Sequence, residues 1–96
     1  VEFLRKHGFP YAERRALAGA NDKGDVSGCG PIVIEVKDHK TIALAQFMSE
    51  LKQEVINAEA QTGVAIVKKR GTLDVGEWYA VMPAAWVVDL LKEAGY

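Results

Sequence analysis

The sequence has one cysteine, almost no excess of either charge and no long apolar run, and each shortage excludes a class of protein. With Cys29 alone, the chain forms no internal disulfide and no cysteine zinc cage, which suits a reducing compartment. No apolar run reaches the roughly 18 residues of a membrane-spanning helix, and no signal-peptide pattern opens the chain. We therefore expect a cytoplasmic protein without a membrane partner.

Charge and size set the next limits. Twelve basic side chains against thirteen acidic ones give a net charge of -1, so no overall positive field points to nucleic acid, although local basic patches remain open. The 96 residues, 49% hydrophobic and 26% charged, predict a single domain over 1–96. A chain this short buries about 60 to 65% of its unfolded surface, so a partner subunit would add stability.

Hydrophobic periodicity predicts an α/β fold with the element order α-β-β-β-α-β-β-α, a central mixed five-stranded sheet flanked by helices. The pattern begins inside a helix, so we expect the N-terminal helix to be truncated. Ile32 to Val36 is almost continuously apolar, as in a strand covered on both faces, and Pro10 favours an edge strand. The helices are predicted at 1–7, at 41–61 with Gly63 as C-cap, and after Pro83; the strands at 9–15, 24–28, 31–37, 64–67 and 77–82; and a loop at 18–23.

Polar residues meet at the hairpin around Gly28-Cys29-Gly30. With the turn centred near Gly30, residues whose numbers sum to about 60 face each other, so Asp25 lies opposite Glu35. Lys37 shares the face of Glu35, while Val36 points away and leaves its carbonyl near the same spot. Facing carboxylates repel each other, and a divalent cation between them removes that repulsion.

The oxygen donors predict the metal and the chemistry. Asp25, Glu35 and the Val36 carbonyl offer oxygen ligands only, which favours Mg²⁺, with Mn²⁺ as a substitute. Such a cation polarises a phosphodiester, while Lys37 orients or deprotonates the nucleophile or balances developing charge. We therefore take Asp25, Glu35 and Lys37 as candidate catalytic residues. The alternative is a solvent-facing charge cluster in which Lys37 bridges two acids.

These residues resemble a known family. Asp25, nine intervening residues, and Glu35-Val36-Lys37 at the end of an apolar strand look like the PD-(D/E)XK nuclease superfamily. The element order over nearly the whole chain is most similar to the archaeal-type Holliday junction resolvases. The resemblance implies a restriction-endonuclease-like core and metal-dependent DNA cleavage by a homodimer, in a bacterial, archaeal or virus-infected cytoplasm. Gly24 replaces the family's proline, and its acid on the first helix would fall upstream of Val1.

Further residues are candidates for contact with DNA or with a second subunit. Gln46 resembles an auxiliary glutamine that some superfamily members carry on the helix after the lysine. A dimer surface could come from Phe47, Met48 and Leu51 or from the segment around Trp78 and Trp86, although core packing is the commoner use of at least two of the first three. The candidates for phosphate contacts are Arg14, Arg15, His39 and Lys40.

Three functions therefore stay open. The first is a structure-specific DNA endonuclease that resolves Holliday junctions, the four-way DNA intermediates of recombination and repair. The second is a superfamily nuclease that acts on linear or single-stranded DNA ends. The third is a non-catalytic, nuclease-like domain that only binds DNA. Metal-dependent cleavage of junction, duplex and single-stranded DNA discriminates among them.

Overall fold

A central parallel strand pair organises the computed structural model, which describes residues 1–16 and 22–96. The described part is an α/β domain with a five-stranded mixed sheet and flanking helices, as the sequence predicts. The predicted loop at 18–23 lies largely outside the described residues. The elements are α1 (Glu2–Lys6), β1 (Glu13–Arg14), β2 (Val26–Ser27), β3 (Ile32–Lys37), α2 (Leu44–Asn57), β4 (Thr62–Val67), a 3-10 turn (Val75–Glu77), β5 (Tyr79–Val81) and α3 (Ala84–Glu93).

The sheet has the spatial order β1-β2-β3-β4-β5. Strands β3 and β4 are parallel and are joined through α2, whereas the other neighbouring pairs are antiparallel. Val26 pairs with Ile34, which confirms the register predicted for the hairpin. The first strand lies at an edge of the sheet, as Pro10 predicts, but it is shorter than the predicted 9–15. Among the helices of the described ranges, none has both the length and the apolarity to cross a membrane.

Helix α2 packs on one face of β3 and β4, and its buried stripe differs from the prediction. The buried residues are Phe47, Leu51 and Glu54, which follow the three-to-four spacing of one helix face. The apolar spacing predicts a stripe through Leu44, Met48, Leu51, Val55 and Ala58, and of these five residues Leu51 alone is buried. The apolar periodicity predicts that a helix forms here, but it predicts the rotation of the helix about its own axis only approximately. Contact with the sheet sets that rotation. Phe47 and Leu51 are therefore core residues, which removes them as a dimer surface.

The prediction that β3 is covered on both faces is wrong for its end. Val33, Glu35 and Lys37 point to the α2 face and are buried, whereas Val36 points to the opposite face and is 40% exposed. No residue of α3 is buried, so the final helix leaves this second face partly open. The middle of the apolar run is thus buried on both faces, with Ile34 at 5% exposure on the second face, and that face is partly open at the ends of the strand.

Gly63 is not a helix C-cap but the second residue of β4. A Cβ at this position would lie 2.9 Å from Val55 Cγ2 and 3.0 Å from Leu51 Cδ1. A glycine at this position thus allows β4 to pack closely against α2. This close approach brings the side chains of α2 down onto the polar residues of β3.

Candidate metal centre

Acidic side chains from three separate parts of the chain converge under α2. Glu35 lies on β3, Glu54 comes from α2, and Asp22 and Asp25 precede β2. Glu35 and Glu54 are buried, at 6% and 4% exposure. Asp22, Glu35 and Glu54 each offer a carboxylate oxygen within 4.8 Å of the other two, so these three acids lie close enough to bind a metal ion.

The hairpin positions Asp25. Its backbone N–H donates to the Ile34 carbonyl at 2.9 Å, and its Oδ2 accepts a hydrogen bond from the Val36 N–H at 2.6 Å. Asp25 therefore sits beside Glu35, where the register predicted it, and its charge raises the pKa of Glu35. The Val36 backbone takes part in the site through its N–H.

A glycine turn positions Asp22. The Gly24 N–H donates to Asp22 Oδ1 at 2.8 Å, and Gly24 has a φ of +96°, a conformation that L side chains rarely adopt. A Cβ on Gly24 would also lie 2.8 Å from Val33 Cγ1. Asn57 of α2 donates to the Asp22 carbonyl at 2.8 Å, which ties this segment to the helix. Glycine at position 24 thus allows two acids, three residues apart, to face one strand.

Burial and mutual repulsion dominate the electrostatics of the acids. Burial, with the neighbouring Glu54 and Asp25, raises the pKa of Glu35 to about 10. Burial also raises the pKa of Glu54, and Asp22 adds to that effect. The Oε2 atoms of Glu35 and Glu54 are buried, and no described residue donates a hydrogen bond to them. Such oxygens require a shared proton or a cation, because two buried ionised carboxylates repel each other.

Lys37 lies next to this cluster and is already paired. Its Nζ forms an ion pair with Glu50 of α2 and lies 3.8 Å from Glu35 Oε1. Burial acts to lower the pKa of Lys37, but the Glu50 hydrogen bond and the charge of Glu35 outweigh burial and raise it. Lys37 is therefore an ammonium at neutral pH. Of the predicted roles, balancing or orienting charge fits this state, and deprotonating a nucleophile does not.

Gln46 acts on the partner of Lys37. Its Nε2 donates to Glu50 Oε1 at 3.0 Å, one helical turn away. The hydrogen bond from Lys37, assisted by Gln46, lowers the pKa of Glu50 and keeps it ionised. Gln46, the predicted auxiliary glutamine, thus lies at the site. It hydrogen-bonds the Glu50 carboxylate, which in turn pairs with Lys37.

The predicted DNA-contact residues fall into two groups. His39 and Lys40 follow β3 and line a cleft of about 470 Å³ together with Lys68 and Arg70, which follow β4. Parallel strands end at the same edge of the sheet, which explains why these two segments meet. The other group does not line this cleft. Arg14 is exposed on the edge strand, and the half-buried Arg15 donates its backbone N–H to the Asp25 carbonyl at 2.8 Å.

Sequence reasoning missed three acids of this site. Glu54 carried a usable signal, because it falls on the buried stripe of α2 three residues after Leu51, where an apolar residue is expected. Glu50 lies one turn earlier, and only its contact with Lys37 shows its role. Asp22 stands in a glycine-rich segment without periodicity, so its orientation depends on the turn at Gly24.

No family model, curated protein or solved structure matches this chain. The acids, Lys37 and the surfaces around them are therefore the features that indicate what the protein does.

Proposed function

We propose that this protein is a metal-dependent DNA endonuclease of the PD-(D/E)XK type, with a restriction-endonuclease-like core, that resolves four-way junctions as a homodimer. One observation carries the proposal. The hairpin register sets Asp25 beside Glu35, and Lys37 follows two residues later on the same buried face of β3. Two acids and a lysine in this order are the parts that phosphodiester hydrolysis requires.

The donor set fits Mg²⁺, with Mn²⁺ as a substitute. The acids supply oxygen ligands only, and a cation would satisfy the buried Oε2 atoms of Glu35 and Glu54, which lack a donor within the described ranges. In the proposed site, Asp25, Glu35 and the Val36 carbonyl hold the ion. When bound, the ion polarises the scissile phosphate and lowers the pKa of a coordinated water. The Lys37 ammonium, kept in place by Glu50, balances the negative charge that develops on the phosphate.

The basic cleft supports a nucleic-acid substrate. The His39 ring lies 5.1 Å from the Phe47 ring, and Lys37 Nζ lies 5.1 Å from the same Phe47 ring centroid, so the cleft adjoins the acids. Its basic side chains outnumber the one acid that lines it, Asp38. A DNA strand whose scissile phosphate lies at Lys37 could therefore place a neighbouring phosphate in the cleft of His39, Lys40, Lys68 and Arg70.

The homodimer follows from the substrate. Two symmetric incisions in a four-way junction require two active sites related by a two-fold axis. The open face of the sheet supplies an apolar groove of about 570 Å³, lined by residues that include Trp78, Ile66 and Leu90. Trp78 belongs to the late segment named as a dimer candidate above, and Trp86 is half-buried on α3. We propose this groove and α3 as the dimer surface.

The test is cleavage of synthetic four-way, duplex and single-stranded DNA in Mg²⁺ and in a chelator. We expect Mg²⁺-dependent cuts in the junction. We also expect no cleavage by Asp25→Asn or Glu35→Gln, each with a wild-type circular dichroism spectrum, because losing one of two repelling charges does not lower stability. Glu59→Gln, at an exposed acid just after α2, is the matched control and should cut normally.

Other results would change the assignment. Cleavage at the wild-type rate by either acid variant would show that the proposed site is wrong. Cleavage restricted to linear or single-stranded DNA would assign the chain to the end-directed nucleases. Junction binding without cleavage in Mg²⁺ or Mn²⁺ would make it a DNA-binding domain.

A further inference from the structure

Glu54 is the buried acid for which the proposed reaction has no use. It is 4% exposed, it occupies the apolar stripe of α2, and its Oε2 has no hydrogen-bond donor among residues 1–16 and 22–96. Leaving a carboxylate buried without a partner is costly, because the group loses its hydration and gains nothing in return. Its nearest partners are the two other acids of the carboxylate triad, Asp22 and Glu35.

The charges around Glu54 do not balance with a single divalent ion. The four acids Asp22, Asp25, Glu35 and Glu54 carry a formal charge of -4 when ionised. Lys37 lies 3.8 Å from Glu35 and also pairs with Glu50, and counting Lys37 and Glu50 together leaves the total at -4 because their charges cancel. One divalent cation would leave half of the negative charge of four neighbouring carboxylates uncompensated, and a second would neutralise the rest.

The triad and the proposed catalytic pair use different residues around one common acid. Asp25 lies on the hairpin side of Glu35 and is fixed by the Val36 N–H. Asp22 and Glu54 form the remainder of the triad, and Asn57 holds the Asp22 segment against the helix that carries Glu54 by donating to the Asp22 carbonyl. Glu35, with two carboxylate oxygens, can serve both groups.

We propose that Asp22, Glu35 and Glu54 form a second divalent-cation site that shares the Glu35 carboxylate with the site formed by Asp25, Glu35 and Val36. Oxygen-only ligands select Mg²⁺ or Mn²⁺ for this site as well. The inference rests on the proposed function only for the first site, since the triad is defined by its own geometry. In a nuclease, paired ions stabilise both the attacking and the leaving oxygen of the displacement.

Manganese binding to the DNA-free chain tests the second site without reference to cleavage. Calorimetric titration with MnCl₂ should give two ions per wild-type chain. Glu54→Gln and Asp22→Asn should each reduce the number to one, while Glu59→Gln should keep two. Because Asp22 lies in a turn rather than in the core, Asp22→Asn still tests the site if Glu54→Gln fails to fold. Electron paramagnetic resonance should show coupling between the two Mn²⁺ ions, as expected when one carboxylate bridges them.

The outcomes separate this inference from the proposed function. A wild-type chain that binds one Mn²⁺, or an Asp22→Asn chain that still binds two, would overturn the second site even if the protein cuts junctions. In the first case, a proton shared by Glu35 and Glu54 would satisfy their buried oxygens. Two bound ions without DNA cleavage would instead support the second site and contradict the nuclease assignment.

Discussion

The two faces of the sheet differ in a way that reverses the usual pattern. Under α2, the covered face of β3 carries Glu35 and Lys37 beside Val33, so charged groups are buried there. The opposite face carries Ile32, Ile34 and Val36; Ile34 is buried at 5% exposure, but Ile32 is only half-buried and Val36 is 40% exposed. Charge is enclosed on one face, and apolar surface is left accessible on the other.

This difference separates two tasks in a small chain. Burying charged groups is unfavourable unless they are paired, and their burial under a helix marks a site with shifted pKa values. An accessible apolar groove is where the proposed homodimer would place its contact, because a monomer gains nothing from leaving such a surface uncovered. We therefore assign chemistry to the covered face and association to the open face, and the following predictions test that division.

The largest expected effect is on stability, from a truncation on the covered face. Leu51 is fully buried and packs where Gly63 lets α2 approach β4. Leu51→Ala should lower the free energy of unfolding by about 3 to 4 kcal/mol, since it leaves a cavity that the helix cannot close. The control on the open face is Val36→Ala, which should cost less than about 1 kcal/mol. Urea denaturation gives both values, and equal losses would show that the faces do not differ.

The next effect concerns chemistry on the covered face. Lys37→Ala should slow junction cleavage in Mg²⁺ at least about a hundredfold while DNA affinity stays near the wild-type value, because the ammonium acts on developing charge. Lys52→Ala, an exposed lysine on the same helix as Glu50, should leave both quantities unchanged. Single-turnover cleavage and filter binding measure the two separately. Weaker binding with unchanged turnover would make Lys37 a simple phosphate contact.

The two faces were not equally predictable from the sequence. The hairpin register followed from the glycine turn, so the neighbourhood of Asp25 and Glu35 could be derived before the structure was known. Glu54 gave only a partial signal, its position three residues after Leu51, because its burial depends on how α2 rotates against β4, a contact between segments distant in sequence. The prediction that Val36 is buried was wrong for the same reason, since an apolar strand pattern does not reveal whether helices cover both faces of the sheet.

An effect that is smaller for each pH unit links the covered face to pH. The raised pKa of Glu35, about 10, means that the folded metal-free chain holds a proton that the unfolded chain loses near 4.5. Between these values the folded state binds more protons, so stability should be highest at low pH and fall as pH rises, by at most about 1.4 kcal/mol per unit. Urea midpoints in chelator at several pH values measure the slope. Glu35→Gln should flatten it, and an unchanged slope would place the proton elsewhere.

The smallest effect on the folded chain is expected at the open face, where only association should change. Leu91 lies on α3 and is 47% exposed, so Leu91→Arg should leave the unfolding free energy within about 0.5 kcal/mol of wild type. If α3 and the groove join two copies, a buried arginine at their contact should shift the sedimenting mass from about 21 kDa to the monomer's 10.5 kDa. Ile56→Arg places the same charge on α2, on the other side of the sheet, at a residue that is 67% exposed, and should leave the dimer intact. If Ile56→Arg dissociates the dimer and Leu91→Arg does not, the interface lies on the α2 side of the sheet. If the wild-type chain sediments as a monomer and still makes paired cuts, the proposed dimer is wrong.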